Sequence, residues 1–499
     1  MNKLFNKVLI ANRGEIAVRI IRLCRDLGIT SASVYSDADK SATHTLLADE
    51  SYHIGTPISS ESYLNQNKII DLAKKINADA IHPGYGFFAE NPDFIDACEK
   101  ANITFIGPSS YSARMMGNKT AARRLMAENN VPIVPGTTES VPSVKEGIKI
   151  SKEIGYPVLL KAAAGGGGKG MRRINNDTEF ESAFEATKRE ALKAFANDDV
   201  YLEKFIEQPR HIEVQILGDK KGNYIHLFER ECSIQRRHQK IIEEAPSSFV
   251  DAKTREKITE EAINAAKACK YYNAGTIEFL MDRNKNFFFL EMNTRLQVEH
   301  PVTEFITGVD LVKEQLSIAA GEEISIKQND LKINGHALEC RIYAEDAEDN
   351  FLPSIGKIFH YKAPSGPGVR LDSGFEEGSE ISMYYDPLIS KLITWGNNRN
   401  VAINRMKRAL SEYHIAGVTS NIPFLETILE HPSFIKGAFD INFVEKEFLT
   451  VSENTRLKQS KSSEDAAALI SALLKLKSNK AINRSDHIFK SQWQEQMYE

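Results

Sequence analysis

The chain has 499 residues, a formal net charge of −5 and 26% charged residues, enough for two to four compact domains. Its longest basic cluster, Arg236-Arg237-His238-Gln239-Lys240, is too short for a nucleic-acid backbone footprint, and no stretch nears the ~20 apolar residues of a membrane span. The five cysteines (Cys24, Cys98, Cys232, Cys269, Cys340) match no zinc or disulfide spacing, and the N-terminus carries no secretory signal, so a reducing, cytoplasmic setting is expected.

In chain order, "KVLIA" reads as a buried strand and "EIAVRIIRLCRDLG" as a helix closed by Gly28. "TSASVYS" is a second strand, "YLNQNKIIDLAKKINA" a second helix and "DAIHPG" a third strand. This alternation predicts a parallel sheet flanked by helices. The first turn, ANRGE, has one glycine where a dinucleotide fingerprint needs three, so Asp37 and Asp39 read as loop residues and not as ribose ligands. Prolines at 132, 135 and 142 mark a new unit. There "YPVLLKA" and "GMRRIN" are strands joined by Gly165–Gly168, with a helix expected at 178–196. The run is not a Walker loop, because Met171 follows Gly170 where that motif needs Lys-Ser/Thr. It reads as the tip of a lid hairpin whose backbone N–H groups close over phosphates. Strands dominate 200–293 around a helix at 254–270; a mixed region follows at 335–448, with a helix near 400–412. The polar tail, 449–499, holds an amphipathic helix at about 463–478.

Residues 275–304 carry the strongest chemical signal. Two apolar runs flank Asp282–Asn286, and a turn centred between Asn284 and Lys285 sets Glu278 opposite Glu291. Like charges facing each other in an apolar hairpin are destabilising unless a cation joins them. Oxygen ligands on a divalent ion shared with phosphates describe a magnesium–nucleotide site. If the chain stays extended, Glu291, Asn293, Arg295, Gln297 and Glu299 share one face. In "ERECSIQRRHQKIIEEAP", His238 and Lys240 share a strand face, which a solvated surface strand explains equally well.

Nine stretches in order, "IANRGEIAVRIIR", "HPGYGFFAEN", "FIGPS", "MGNKTAAR", "KAAAGGGGKGM", "EKFIEQPRHIEVQ", "ERECSIQRRHQKIIEEAP", "EMNTRLQVEHPVTE" and "RIYAED", resemble the biotin carboxylases of the ATP-grasp superfamily over about residues 1–448. The resemblance implies an α/β chain: a Rossmann-like N-terminal domain (1–115), an ATP-grasp domain (116–330) with a mobile glycine-rich lid (about 134–204), and a mixed α+β C-terminal domain (335–448). It implies MgATP-dependent carboxylation of biotin from bicarbonate through carboxyphosphate; the alternative is another ATP-grasp ligase joining a carboxylate to an amine. Glu278, Glu291 and Asn293 would hold Mg2+ or Mn2+. ATP would meet Lys119, Lys161, Gly167, Gly168, Met171, the backbone of Glu203, Lys204, Phe205 and Ile206, and His211, Gln235 and His238. Lys240, Arg295, Gln297 and Val298 match the bicarbonate site. Glu299 matches the general base, and Arg341 the residue that stabilises the biotin enolate.

No lysine lies in a Met-Lys-Met context, so biotin is expected on a separate carrier protein. A carboxyltransferase subunit is the other expected partner, since the residues after 448 leave no room for one. The resemblance implies a homodimer or larger complex. "VYSDAD" and "YYDPLISKLITWG" lean toward the propionyl-CoA, methylcrotonyl-CoA and pyruvate carboxylase chains and away from the acetyl-CoA type.

Overall fold

Five short strands, β1 (Lys7–Ile10), β2 (Thr30–Ser36), β3 (Glu50–Gly55), β4 (Ala80–His82) and β5 (Thr104–Phe105), form a parallel sheet in the order β3-β2-β1-β4-β5. They belong to a computed structural model that describes residues 4–163, 171–195 and 197–449. The glycine run with Gly167 and Gly168, and the expected tail helix, lie outside the described residues. Helix α1 (Gly14–Asp26) packs its apolar stripe, including Ile16, Ile20 and Ile21, against this sheet. Gly28 follows it at φ +66°, the left-handed conformation a helix stop favours.

Asp39 is not a solvated loop residue. It is buried, accepts two bonds of 2.8 Å from Arg13 and one of 2.6 Å from the Tyr63 hydroxyl. Arg13 also lies over the Tyr385 ring at 4.2 Å. The carboxylate anchors the ANRGE turn, a role its spacing from the strand does not reveal.

The lid strands β6 (Val158–Ala162), β7 (Met171–Ile174) and β8 (Val200–Lys204) form an antiparallel sheet in the order β7-β6-β8. Helices α2 (Val144–Ile154) and α3 (Asp177–Phe195) accompany it. The lid has its own core of Val158, Leu160, Ile174, Phe180, Phe184 and Leu202. Gly147 lets α2 approach it closely: an added Cβ would lie 2.3 Å from the Phe180 ring. This core is separate from the clusters that pack the large sheet.

The remaining long strands are β9 (Arg210–Gly218), β10 (Tyr224–Arg236), β11 (Gln239–Ala245), β12 (Asn273–Met281), β13 (Phe287–Asn293), β14 (His336–Tyr343), β15 (Val369–Ser373) and β16 (Leu388–Gly396). They make one eight-stranded sheet, ordered β13-β12-β9-β10-β11-β14-β16-β15. Strand pairing therefore crosses the expected boundary at 330–335, because β11 pairs with β14 from Ile242↔Cys340 to Ala245↔Ala337. Residues as far as Phe443 cluster as one unit, and the helical turn Glu445–Leu449 belongs to a second.

Every residue of β9 is buried, although alternate positions are polar. Ile212, Val214 and Ile216 face helix α4 (Ala252–Ala268), whose start is capped by Asp251 accepting from the Thr254 N–H. His211, Glu213 and Gln215 face the opposite way. Helix α5 (His300–Thr307) seats Val302 and Ile306 on Ala245, Ala337 and Ile393, bracing three strands at once.

If β9–β16 act as one sheet, Leu392→Ala, deep in β16, should cost about 2–5 kcal/mol. It should also speed hydrogen exchange in β9–β12. Faster exchange confined to residues after 335 would show that the two halves open separately.

Candidate functional site

The β12–β13 hairpin pairs Glu278 with Glu291, as the sequence predicts, by a route the sequence does not show. Pairing nearest the turn runs Phe279↔Phe289 to Met281↔Phe287, which centres the turn on Asn284 and not between Asn284 and Lys285. A one-residue bulge at Leu290 restores the register at Glu278↔Glu291. His238 is likewise not on a strand face. Arg237 (φ +49°) and His238 (φ +68°) form the two-residue turn between β10 and β11, and Lys240 is the second residue of the strand beyond it.

A cavity of about 710 Å³ lies between the polar sheet face and the lid. From the lid come Lys161 and Met171, and from the segment after β8 come Phe205 and Ile206. From the sheet and its connections come His211, Gln235, His238, Lys240, Glu278, Glu291, Asn293, Arg295, Gln297, Val298, Glu299 and Arg341, with Lys119 at the rim. Glu203 and Lys204 do not line it. The Glu203 carboxylate takes Arg123 and Lys161, and Lys204 Nζ donates to Gly155 O at 2.7 Å. The N–H groups of Lys204 and Phe205 donate to Pro135 O and Pro157 O, so both are committed to the lid hinge.

At the centre, Lys240 Nζ touches Glu213 Oε2 (2.5 Å), Glu299 Oε1 (2.7 Å) and Glu278 Oε1 (2.8 Å). Arg230, with no exposed surface, pairs with Glu213 and donates to Gln215, Thr276, Thr303 and Gln297. Gln297 in turn donates to Glu278 at 2.8 Å. Arg341 reaches Glu299 Oε2 at 3.0 Å and donates from Nε to Glu243 at 2.6 Å. Lys391 Nζ donates to the Val298 carbonyl at 2.8 Å, fixing the peptide that precedes Glu299 at the start of α5.

Burial opposes each charge, but the opposite charges outweigh it. Lys240 is held well above the usual lysine range by Glu213, Glu278 and Glu299. Glu299 is held well below the carboxylate range by Lys240, Arg341 and Arg230. Glu278 is lowered by Lys240 and His211, whose imidazole is 2.9 Å away. All are charged at neutral pH.

Glu278 and Glu291 face each other with Asn293 beside them, its amide donating to Glu278 and accepting from Arg295 at 2.8 Å each. Two carboxylates and an amide, all oxygen donors, fit a hard divalent cation. His211, Glu213 and Glu278 also converge, but Arg230 and Lys240 already neutralise Glu213.

Sequence reasoning missed Glu90, Arg230 and Glu213. Glu90, in the loop after β4, accepts from the Thr294 N–H and from Arg295 Nε, both at 3.0 Å. It lies inside "HPGYGFFAEN", but nothing local links it to a residue 205 positions away. Alternation along β9 could have exposed Glu213; Arg230 shows no pattern at all.

Fold and site together define a nucleotide-dependent ligase of the ATP-grasp type. Family models match at 4–113 (biotin carboxylase, N-terminal domain), 118–327 (carbamoyl-phosphate synthase L chain, ATP binding domain) and 339–446 (biotin carboxylase C-terminal domain). The chain is 52% identical to biotin carboxylase 1 of Bacillus subtilis, covering 89% of this chain and 98% of that protein. It is 48% identical to the propionyl-CoA carboxylase alpha chain of Ruegeria pomeroyi, covering 93% and 71%. Among solved structures, it is similar to the biotin carboxylase domain dimer of Hydrogenobacter thermophilus 2-oxoglutarate carboxylase with MgADP, ADP and bicarbonate (TM-score 0.85, 50% identity, covering 89% and 97%). It is also similar to the Campylobacter jejuni biotin carboxylase–β,γ-ATP complex (TM-score 0.87, 47% identity, covering 90% and 100%). The chain belongs to the biotin carboxylase family.

Lys240→Met would leave Glu213, Glu278 and Glu299 buried without their shared cation, a loss of about 3–5 kcal/mol. Carboxylates with depressed pKa contribute stability above the unfolded value of 4.5 and lose it as pH falls. The variant removes that contribution, so its deficit in urea midpoint should be larger at about pH 8 than at about pH 4. A pH-independent deficit would contradict the electrostatic account.

Proposed function

We propose that this protein carboxylates biotin presented on a separate carrier protein, using MgATP and bicarbonate and passing through carboxyphosphate. The observation that carries the reading is the convergence of Lys240, Arg295, Gln297, Glu299 and Arg341 on one cavity with the Glu278–Glu291 pair.

ATP lies between lid and sheet, its base near Met171, Phe205 and Ile206, and its ribose and phosphates toward His211, Gln235 and His238. Lys119 and Lys161 bring positive charge to the phosphates. Glu278, Glu291 and Asn293 would hold Mg2+ or Mn2+, which when bound neutralises phosphate charge and fixes its orientation. Lys119, 3.5 Å from Glu291, can turn to the phosphates once that carboxylate is otherwise engaged. Gly167 and Gly168 would close the lid over the phosphates.

Bicarbonate sits between Arg295, Lys240, Gln297 and the Val298 backbone. Glu299, ionised because Lys240 and Arg341 hold it so, takes its proton. The oxygen thus freed attacks the γ-phosphorus, and the bond to ADP breaks. Alignment supplies most of the rate, as phosphoryl transfer requires. Carboxyphosphate yields carbon dioxide and phosphate; the phosphate takes the ureido N–H proton of biotin, and the nitrogen so freed captures the carbon dioxide. Arg341 stabilises the oxyanion on the ureido oxygen. A carboxyltransferase partner then passes the carboxyl group to an acceptor that differs among the relatives. A homodimer and a cytoplasmic setting complete the reading; the five buried, unpaired cysteines suit a reducing compartment.

Bicarbonate-dependent ATP hydrolysis, stimulated by free biotin, is the expected activity; hydrolysis indifferent to bicarbonate would sink the reading. Glu299→Gln should bind MgATP normally yet lose turnover by about 100-fold or more, the scale of general-base loss. Glu90→Gln, which loosens Arg295, should raise KM for bicarbonate several-fold and leave KM for MgATP unchanged. Equal changes in both constants would count against that role.

A further inference from the structure

Two glutamates beside the site take no part in the reaction above. Glu243 on β11 and Glu339 on β14 are register partners, and neither has exposed surface. Opposed strand residues place their Cβ atoms about 5 Å apart. Arg341 donates to one oxygen of Glu243. The other oxygen of Glu243 and both oxygens of Glu339 have no hydrogen-bond partner among the described residues. Two carboxylates so placed cannot both ionise without a large desolvation and repulsion penalty.

The charges facing the pair come from every neighbouring element. Lys240 lies on β11, Arg341 on β14, Glu299 at the start of α5 and Lys391 on β16, where Glu15 of α1 and Asp372 of β15 also pair with it. Tyr85 approaches from the loop after β4, and Cys232 and Cys340 from β10 and β14. Burial pushes Glu243 up to about 7 against the pull of Arg341 and Lys240. Burial also holds Glu339 well above the usual range, with Lys391 opposing.

We propose that Glu243 and Glu339 form a dyad sharing one proton, and that its protonation sets how much of the Arg341 charge is available to biotin. With one proton, the dyad carries a single negative charge and holds Arg341 through Nε and Nη2, both 2.6 Å from Glu243 Oε1, while Nη2 also reaches Glu299 at 3.0 Å. Loss of that proton places another negative charge beside the guanidinium. Its field at the ureido oxygen falls, and carboxylation slows. Both glutamates are positioning residues acting through Arg341, so the inference rests on the role assigned to Arg341 above.

The test is Glu339→Gln in the full chain, which keeps shape and removes the like charge. The alkaline fall in kcat/KM for biotin should move up by about one pH unit or more, with KM for MgATP within about twofold; Glu339→Asp should restore the wild-type limb. Stability gives a readout independent of activity. The folded dyad keeps a proton that the unfolded chain has released, so the wild type loses stability as pH rises from 4.5 to about 7. Glu339→Gln should flatten that slope, and Glu243→Gln should do the same if Glu339→Gln does not fold. An unmoved alkaline limb or an unchanged stability slope overturns the proposal. Failure of the carboxylase reading shows differently, as absent bicarbonate-dependent ATP hydrolysis in the wild type.

Discussion

The site is organised by one buried ammonium. Lys240 Nζ lies within 2.8 Å of carboxylates from β9, β12 and the start of α5. Without it those carboxylates would repel one another at low dielectric, where Coulomb terms are strongest. With it they become a fixed framework. Glu278 is fixed beside Asn293 and Gln297, Glu299 stays ionised, and Glu213 passes the constraint on to Arg230. Arg230 extends the network to Gln297 and Thr303, so elements far apart in sequence share one electrostatic centre.

The backbone arrangement serves that centre. One sheet carries both the nucleotide residues and Arg341, because β11 and β14 are hydrogen-bonded neighbours. Helix α5 braces β11, β14 and β16 and carries Glu299 at its first turn. The N-terminal layer reaches in through Glu90, which holds the Thr294 backbone and the Arg295 side chain. The lid packs around a core of its own.

Much of this was legible in the sequence where the chemistry is local. The parallel layer followed from alternating patterns, and β2 is the predicted segment residue for residue. The facing pair Glu278–Glu291 followed from counting about a turn, although the bulge at Leu290 had to offset a half-residue error in the turn centre. The polar run from Glu291 to Glu299 does converge, yet the strand ends at Asn293 and the rest arrives through a bend at Arg295 and a turn into α5. His238 was misplaced because a two-residue turn with non-glycine residues at positive φ leaves little trace in composition. Glu90, Asp39 and the Glu243–Glu339 pair were illegible. Each acquires its meaning from a partner that only tertiary folding supplies, and a buried glutamate looks like an exposed one in a string of letters.

The Lys240 contacts also dictate the shape of the sheet. β11 and β12 are three places apart in the strand order, about 14 Å on a flat surface at the usual spacing. Yet Lys240 on one strand touches Glu278 on the other at 2.8 Å. The sheet must therefore curl into a trough around the ammonium. A concave, low-dielectric trough strengthens each of the charge pairs gathered inside it. Curvature thus brings strands that are not neighbours in the sheet into one charge cluster.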